Sequence, residues 1–306
     1  MPASLRIGLI GFGEVGSSFA RGFLADGLTG LVAYDEPRSD AQRDLARRRS
    51  VELGVPLLDD PAGLADRDLV VCCVPQDQAM AAAERCAGAI APDALYVDVN
   101  SLGPPDKIAV AERVAALGRT FVDAAIMGMP INDLHRVPVL ASGEAAQRFA
   151  ELGGRAGMRI RVAGARPGDA AGVKILRSVV TKGLECLLVE SLTAARRHGL
   201  DHAVLDSLVG LFGPQSRAVF DFLIRTHAVH ARRRSLEVAM CADTLAAAGI
   251  DPLVTGAVAA RLRRTAGEGL AGGGLAAAAN GRLPAGTDDA VALFDRHLDT
   301  PAETPA

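Results

Sequence analysis

Two groups of residues in this 306-residue sequence have the types and spacing that chemistry requires. The first is the hexapeptide GFGEVG, which sets Gly11, Gly13 and Gly16 in G-x-G-x-x-G spacing. It ends an apolar run (LRIGLI, 5–10) and opens a helical pattern, and a second apolar run, LVAYD, ends in Asp35. In that setting Gly11 permits a tight turn, Gly13 lets backbone approach a pyrophosphate, and Gly16 lets helix and strand pack closely. The helix's first unsatisfied N–H groups then face the phosphates. A carboxylate at 35 accepts hydrogen bonds from an adenosine ribose and repels a 2′-phosphate, which favours NAD. Arg38 stands close enough in sequence to compensate, so NADP stays open. The cofactor-binding set read this way is Gly11, Phe12, Gly13, Glu14, Val15, Gly16 and Asp35. Val74 and Pro75 join it at the end of a later apolar run.

The second group is defined by rarity. Of 33 basic residues only three are lysines, Lys107, Lys174 and Lys182, and two of these lie eight residues apart in GDAAGVKILRSVVTKGLE (168–185). Moving a hydride to or from an alcohol carbon also requires moving the hydroxyl proton. An amine can take and return it when burial or a neighbouring cation lowers its pKa, whereas a guanidinium stays protonated. In a chain that otherwise writes Arg, Lys174 is the candidate acid/base, and Lys182 could bind a substrate anion or cap an exposed stripe. At about 100° per residue, Lys174, Ser178, Thr181, Lys182 and Glu185 share one helical face, with Leu176, Val180, Gly183 and Leu187 opposite. Such a polar stripe reads as solvated surface unless a site claims it.

The elements that must position these groups form an alternating series. Apolar runs at 5–13, 31–35, 68–75, 94–100, 120–128, 137–143 and 158–164 read as strands separated by helical segments. That alternation implies a mostly parallel sheet covered on both faces, a Rossmann-type α/β domain over 1–166. Pro167 and Asp169 then start, and Gly199 stops, a helix of about 46 Å at 1.5 Å per residue. Helical patterns follow at 201–211, at 214–248 with a possible break, and at 252–268. An all-helical domain over 167–270 is expected, followed by a Gly/Ala/Pro-rich tail, 271–306, whose last residues read as disordered.

Bulk properties exclude several classes. A net charge of −3 and an aromatic content of 4% give no basis for nucleic acid or an anionic membrane as partner. No apolar window is long enough to span a membrane, and no secretory leader pattern is present at the start. Five cysteines without C-x-x-C spacing suggest a reducing cytoplasm and no structural metal. His227 and His230 lie about one turn apart, but no carboxylate or cysteine in that run completes a metal site. The run Arg232–Arg234 reads as a possible fork for a carboxylate or phosphate, or as an exposed face.

These motifs resemble the β-hydroxyacid dehydrogenase superfamily, which includes 6-phosphogluconate and 3-hydroxyisobutyrate dehydrogenases. DVNSLGPP (98–105) is similar to the family's segment beside the nicotinamide, with Asn100 and Ser101 as the polar pair. VDAAIMG (122–128) resembles the substrate loop, placing Met127 and Gly128 there, and GDAAGVKILRS resembles the helix with the catalytic lysine, placing it on Lys174. HAVHARRRSLEVA resembles a branch whose short C-terminal helical domain has no assigned function. The resemblance implies a Rossmann domain, a long interdomain helix, an all-helical domain and pairing into a homodimer or higher oligomer. It implies hydride transfer between NAD(P) and a small anionic hydroxy acid or its oxo form, with Ser101, Met127, Gly128, Ser178 and Lys182 at the substrate. Three departures stand out. Ser178 replaces the family asparagine, Met127 replaces a serine, and the cofactor-side lysine of the C-terminal half has no clear counterpart. Imine reduction on the same architecture, or dinucleotide sensing without catalysis, remain alternatives.

Overall fold

The structure, a computed structural model, describes residues 5–36, 39–267, 275–279 and 281–297. Arg38 and the final residues expected to be disordered lie outside that set. The chain divides into two compact units, Met1–Lys174 and Ile175–Ala306.

The first unit is built on an eight-stranded sheet. Its strands are β1 (Ile7–Ile10), β2 (Val32–Tyr34), β3 (Leu57–Leu58), β4 (Leu69–Cys72), β5 (Leu95–Asp98), β6 (Thr120–Ile126), β7 (Pro138–Ser142) and β8 (Arg159–Gly164). Their order is β3-β2-β1-β4-β5-β6-β7-β8. All neighbours pair in parallel except β6 and β7, which run antiparallel with Asp123 opposite Ser142. Six helices accompany the strands: α1 (Glu14–Ala25), α2 (Asp40–Leu53), α3 (Ala79–Cys86), α4 (Pro104–Ala116), α5 (Pro130–Asp133) and α6 (Ala146–Arg155). Local sequence explains their limits. The Ser39 hydroxyl caps α2 by accepting from Gln42 N at 3.3 Å, and Gly54 ends it at φ 64°. Two prolines occupy the first turn of α4, where their missing donor costs nothing.

Strand side chains alternate between two core layers. Leu69 and Val71 of β4 join Ile7, Leu9, Phe19, Phe23 and Phe149 on one side, while Val70 and Cys72 join Tyr96, Val110 and Val114 on the other. Every residue of β1, β4 and β5 is buried, as a sheet covered on both faces demands.

The long helix α7 runs from Asp169 to Arg197. Beyond Lys174 it belongs to the second unit, with α8 (Asp201–Phe212), α9 (Ser216–Ala247), α10 (Leu253–Thr265), α11 (Leu275–Ala278) and α12 (Thr287–His297). Helix α9 is unbroken over 32 residues. Leu188, Val189 and Leu192 of α7 share a core with Leu205, Phe220, Ile224, Val291 and Phe294. The stretch set apart by composition as a tail therefore contributes, among its described residues, α11 and α12 and five buried side chains, Leu275, Ala290, Val291, Leu293 and Phe294.

The polar stripe of α7 turns inward rather than to solvent. Glu185 is fully buried and Lys182 largely so, whereas the opposite, apolar positions Leu176, Val180 and Leu187 are 49%, 69% and 64% exposed. The reason lies on α9. Glu185 Oε1 accepts from Arg234 Nη1 at 2.7 Å and lies 2.8 Å from His227 Nδ1, and Thr265 Oγ1 lies 3.0 Å from His227 Nε2. Burial alone would push the Glu185 carboxyl up. The His227 hydrogen bond and the Arg234, His227 and Lys182 charges outweigh it, so the group titrates below its ordinary value of 4.5. Stability from this carboxylate is therefore complete above 4.5 and is lost as pH falls through the lower folded value. Glu185→Ala strands a buried guanidinium and should cost about 3–5 kcal/mol in urea denaturation. Glu185→Gln should show a denaturation midpoint that shifts less on acidification than that of the unmodified protein.

Candidate dinucleotide and proton-transfer site

The turn from β1 into α1 is shaped by close backbone approaches. Gly11 adopts φ +91°, and a Cβ there would lie 2.6 Å from the carbonyl oxygen of Cys73. At Gly16 a Cβ would fall 2.2 Å from the Gly11 oxygen, so helix and turn meet only if this residue is glycine. Gly13 differs. A Cβ there would meet nothing within 4 Å, and as N-cap of α1 it makes no side-chain cap bond. The helix start thus faces open space through its backbone, which suits an anionic group.

That space is a cavity of about 310 Å³. Of the cofactor residues read from sequence, Gly11, Phe12, Gly13, Glu14, Asp35, Val74 and Pro75 line it, while Val15, Gly16 and Asn100 do not. Asp35 is also part of the loop's frame, because its Oδ2 accepts from Phe12 N at 3.1 Å. Burial pushes its carboxyl up, against the opposing pull of the Phe12 and Glu36 amides and the Arg49 charge. Arg49 belongs to a basic run, 47–49, that in sequence reads as a small anion site or a solvated helix face. It donates to the Phe12 carbonyl at 3.2 Å and lines the cavity with Gln42, Leu45 and Ala46. These four recur at i, i+3, i+4 and i+7 on α2, a face that helical periodicity groups together but does not by itself aim at a ligand. Glycines that leave room for phosphate, an uncapped helix start and a carboxylate at the end of β2 together fit a nicotinamide dinucleotide.

At the carboxyl edge of β5 the chain continues through Asn100 and Ser101. Lys174 Nζ donates to Ser101 Oγ at 2.7 Å, so the structure brings together the lysine and the serine singled out from sequence. Asn100 is turned inward: its backbone N–H donates to Asp98 Oδ1 at 2.8 Å, and its Nδ2 lies 3.5 Å from Cys72 Sγ.

The start of α7 is anchored by strand residues. Asp123 Oδ2 of β6 accepts from Gly168 N at 3.0 Å, Ala171 N at 3.1 Å and Ser142 Oγ at 2.9 Å. The same Ser142 oxygen accepts from Ala170 N at 2.9 Å. Lys107, to which the sequence reading gave no role, is fully buried beside them. Its ammonium donates to Asp98 O at 2.6 Å and Asp98 Oδ1 at 2.8 Å, and lies 3.2 Å from Asp123 Oδ1. Burial would lower its pKa, but the Asp98 and Asp123 charges more than offset this and raise it. Lys107 is therefore cationic at neutral pH.

The other expected substrate residues are placed as follows. Met127 is half-buried and its N–H donates to Pro138 O at 2.8 Å. A Cβ on Gly128 would press on Val137 at 2.8 Å, so that position is tight. Ser178 and Lys182 follow Lys174 by one and two turns on α7. Lys182 Nζ lies 3.8 Å from Glu237, and burial, then the Arg234 charge, pulls its pKa down. Arg234 is committed to Glu185, which removes it from the expected anion fork, and Arg232 and Arg233 are exposed. His227 is likewise committed to Glu185, and no group of three or more metal-ligating residues occurs among the described residues.

Fold and loop define a dinucleotide-binding protein of the Rossmann class with an amine–hydroxyl pair at the carboxyl edge of its sheet. Residues 6–151 match the NAD binding domain of 6-phosphogluconate dehydrogenase, and residues 195–265 match a domain of unknown function (DUF1932). A conserved hypothetical protein from Sinorhizobium meliloti 1021 is 32% identical over 97% of this chain and 98% of its own, with a TM-score of 0.75. A conserved protein of unknown function, MTH1747, described as structurally similar to 3-hydroxyacid dehydrogenases, is 33% identical over 85% of this chain and 96% of its own (TM-score 0.67). The chain belongs to the β-hydroxyacid dehydrogenase superfamily, in the branch that joins this NAD-binding domain to that C-terminal domain. The Mycobacterium tuberculosis 3-hydroxyisobutyrate dehydrogenase, solved with L-serine, shares the fold at 17% identity and TM-score 0.70, covering 86% of this chain and 94% of that one. So does an Aspergillus terreus imine reductase solved with NADPH4, at 17% identity and TM-score 0.57, covering 87% and 95%.

Two substitutions test the cavity. Gly16→Ala should abolish dinucleotide binding by calorimetry and lower the melting temperature, since backbone has no room to move away. Asp35→Ser should weaken NAD while improving NADP, shifting the ratio of their dissociation constants toward the phosphorylated form by about tenfold, on the order of one charge-assisted interaction.

Proposed function

We propose that this protein is an NAD-linked dehydrogenase or reductase acting on the CH–OH group of a small hydroxy acid, or on the matching oxo acid. The observation that carries this reading is the 2.7 Å bond from Lys174 Nζ to Ser101 Oγ at the edge of a dinucleotide-binding sheet. NAD, when bound, supplies the hydride acceptor in oxidation and the donor in reduction. In oxidation the substrate C–H electron pair departs as hydride while the hydroxyl proton passes to the Lys174 amine. In reduction the Lys174 ammonium returns that proton to the forming alkoxide. Ser101 fixes the amine and offers its own hydroxyl to the same substrate oxygen. Only a titratable amine serves here, because a guanidinium at 174 could orient the substrate but not exchange the proton. Asp35 supports NAD over NADP.

The five cysteines are all free thiols, which supports a reducing compartment such as the cytoplasm. Exposed apolar side chains on the second unit, among them Val180, Leu187, Leu211, Phe212 and Phe222, support self-association into a homodimer. Sedimentation should report a dimer that Val180→Glu with Leu187→Glu dissociates.

The decisive experiment is Lys174→Met assayed against a panel of hydroxy acids, oxo acids and cyclic imines. Dinucleotide affinity should stay within about threefold while kcat falls by at least ~10²-fold. Turnover of imines but not oxo acids would move the assignment to imine reduction. Tight NAD binding without turnover of either class would make the protein a dinucleotide sensor.

A further inference from the structure

Lys107 is one of three lysines, is wholly enclosed, and takes no part in the chemistry just proposed. Its partners trace a closed circuit. Asp98, bonded to the Lys107 ammonium, accepts from the Asn100 amide, which leads to Ser101. Asp123, 3.2 Å from the same ammonium, accepts from the Gly168 and Ala171 amides, which lead to Lys174 one turn further along α7. The circuit closes at the Lys174–Ser101 bond. One cation thus holds two carboxylates, and each carboxylate holds one arm of the amine–hydroxyl pair.

Stability alone does not account for such a cluster. Two buried carboxylates against one ammonium leave an uncompensated negative charge, eased by the α7 start that Asp123 faces. Apolar replacement of buried ion pairs is often neutral or stabilising. The ammonium's particular merit is geometric. Its three donors diverge from one atom, so it reaches Asp98 O, Asp98 Oδ1 and the Asp123–Ala124 segment at once; the Ala124 carbonyl lies at 3.3 Å. A planar guanidinium fork directs its donors in one plane and needs more room.

We infer that Lys107 is the positioning residue of this reaction centre: through Asp98 and Asp123 it sets the separation of Ser101 and Lys174. This rests on the proposed role of that pair. Reacting groups tolerate little displacement, and a shift of about 1 Å costs on the order of 10²-fold in rate.

The test is a double-mutant cycle of Lys107→Met and Ser101→Ala in the full-length protein, reading kcat, KM, NAD affinity and peptide-resolved hydrogen exchange. Lys107→Met alone should lower kcat about 10²-fold, with KM and NAD affinity within about threefold. In the Ser101→Ala background, where the positioned bond is already gone, the same substitution should cost less than about threefold. Equal losses in both backgrounds would mark Lys107 as a structural residue and overturn the inference, as would an unchanged kcat. Hydrogen exchange decides the matter without turnover. Residues 99–103 and 167–172 should both exchange faster in Lys107→Met, while 7–17, which holds the Phe12 amide bonded to Asp35, should not. Change in only one of the two segments, or in neither, overturns the inference even if no substrate is ever turned over. Absence of turnover by the unmodified protein, by contrast, defeats only the proposed reaction. Should Lys107→Met not fold, Asp123→Asn keeps the shape and removes one arm. It should speed exchange at 167–172 and lower kcat in a Ser101-dependent way, and the lack of either effect overturns the inference.

Discussion

A single carboxylate on a strand decides where the longest functional helix begins. Asp123 lies within β6, opposite Ser142 of the antiparallel β7, and together the two side chains take the Gly168, Ala170 and Ala171 amides. The first N–H groups of a helix have no intrahelical partner, and near them a negative charge is favoured. Usually a residue beside the helix in sequence fills that role. Here the cap comes from 45 residues upstream in sequence, so the rotational phase of α7 is set by the sheet rather than by its own lead-in. Phase then propagates at about 100° per residue. Lys174 falls three positions after Ala171 and meets Ser101.

The division of labour between lysine and arginine follows from the same geometry. Most exposed ion pairs among the described residues use arginine, such as Arg6 on Asp68 and Arg136 on Asp26. Each is worth little, because solvent screens it and two long side chains must be immobilised. The lysines stand in other settings: Lys107 between two buried carboxylates, Lys174 on the Ser101 hydroxyl, Lys182 beside Glu237. Arg234 is the informative exception. It is buried, but it meets Glu185 Oε1 and Thr226 Oγ1 from separate nitrogens, a task for a fork.

What could be read from the sequence divides along physical lines. The dinucleotide loop was legible because its glycines answer to backbone geometry that no neighbour can supply. The central strands β1, β4 and β5 were legible because burial on both faces leaves an uninterrupted apolar run, whereas β8 is mostly exposed and interrupted by arginines. Direction was not, since a run buried on both faces looks alike whether its partner is parallel or antiparallel, and β7 reverses against β6. The two-residue β3, Leu57–Leu58, is too short to carry any period. Each of two arginine runs on helices recruits a single member: at 47–49 Arg47 and Arg48 are exposed while Arg49 turns to the cavity, and at 232–234 only Arg234 turns inward. A run of like residues on a helix spans more than one face, so composition cannot say which member is recruited. The inward turn of the α7 stripe was illegible for a related reason: its burial depends on complementary charges dozens of residues away on α9.

The dinucleotide turn and the Asn100–Ser101 segment are joined through two adjacent cysteines. Cys73 Sγ lies 3.1 Å from the Gly11 carbonyl, on the side where that turn lines the cavity. Cys72, one residue earlier and so facing the other way, receives the Asn100 amide group at 3.5 Å and pairs in register with Asp98. Burial, followed by the Asp98 charge, pushes the Cys72 thiol up to about 12, and burial also raises that of Cys73 well above its ordinary value. Both therefore remain neutral thiols, poor nucleophiles and poor metal ligands. Their role follows from size and neutrality. A thiol is small enough for the close approach that Gly11 and Gly16 require; a Cβ at Gly16 would already lie 3.1 Å from Cys73 Sγ. It is also polar enough for Cys73 to donate weakly to the Gly11 carbonyl and for Cys72 to accept from the Asn100 amide, without adding charge beside Asp35 or Asp98. Adjacent cysteines beside a dinucleotide-binding turn invite a redox reading, but this geometry makes them packing pieces between that turn and Asn100.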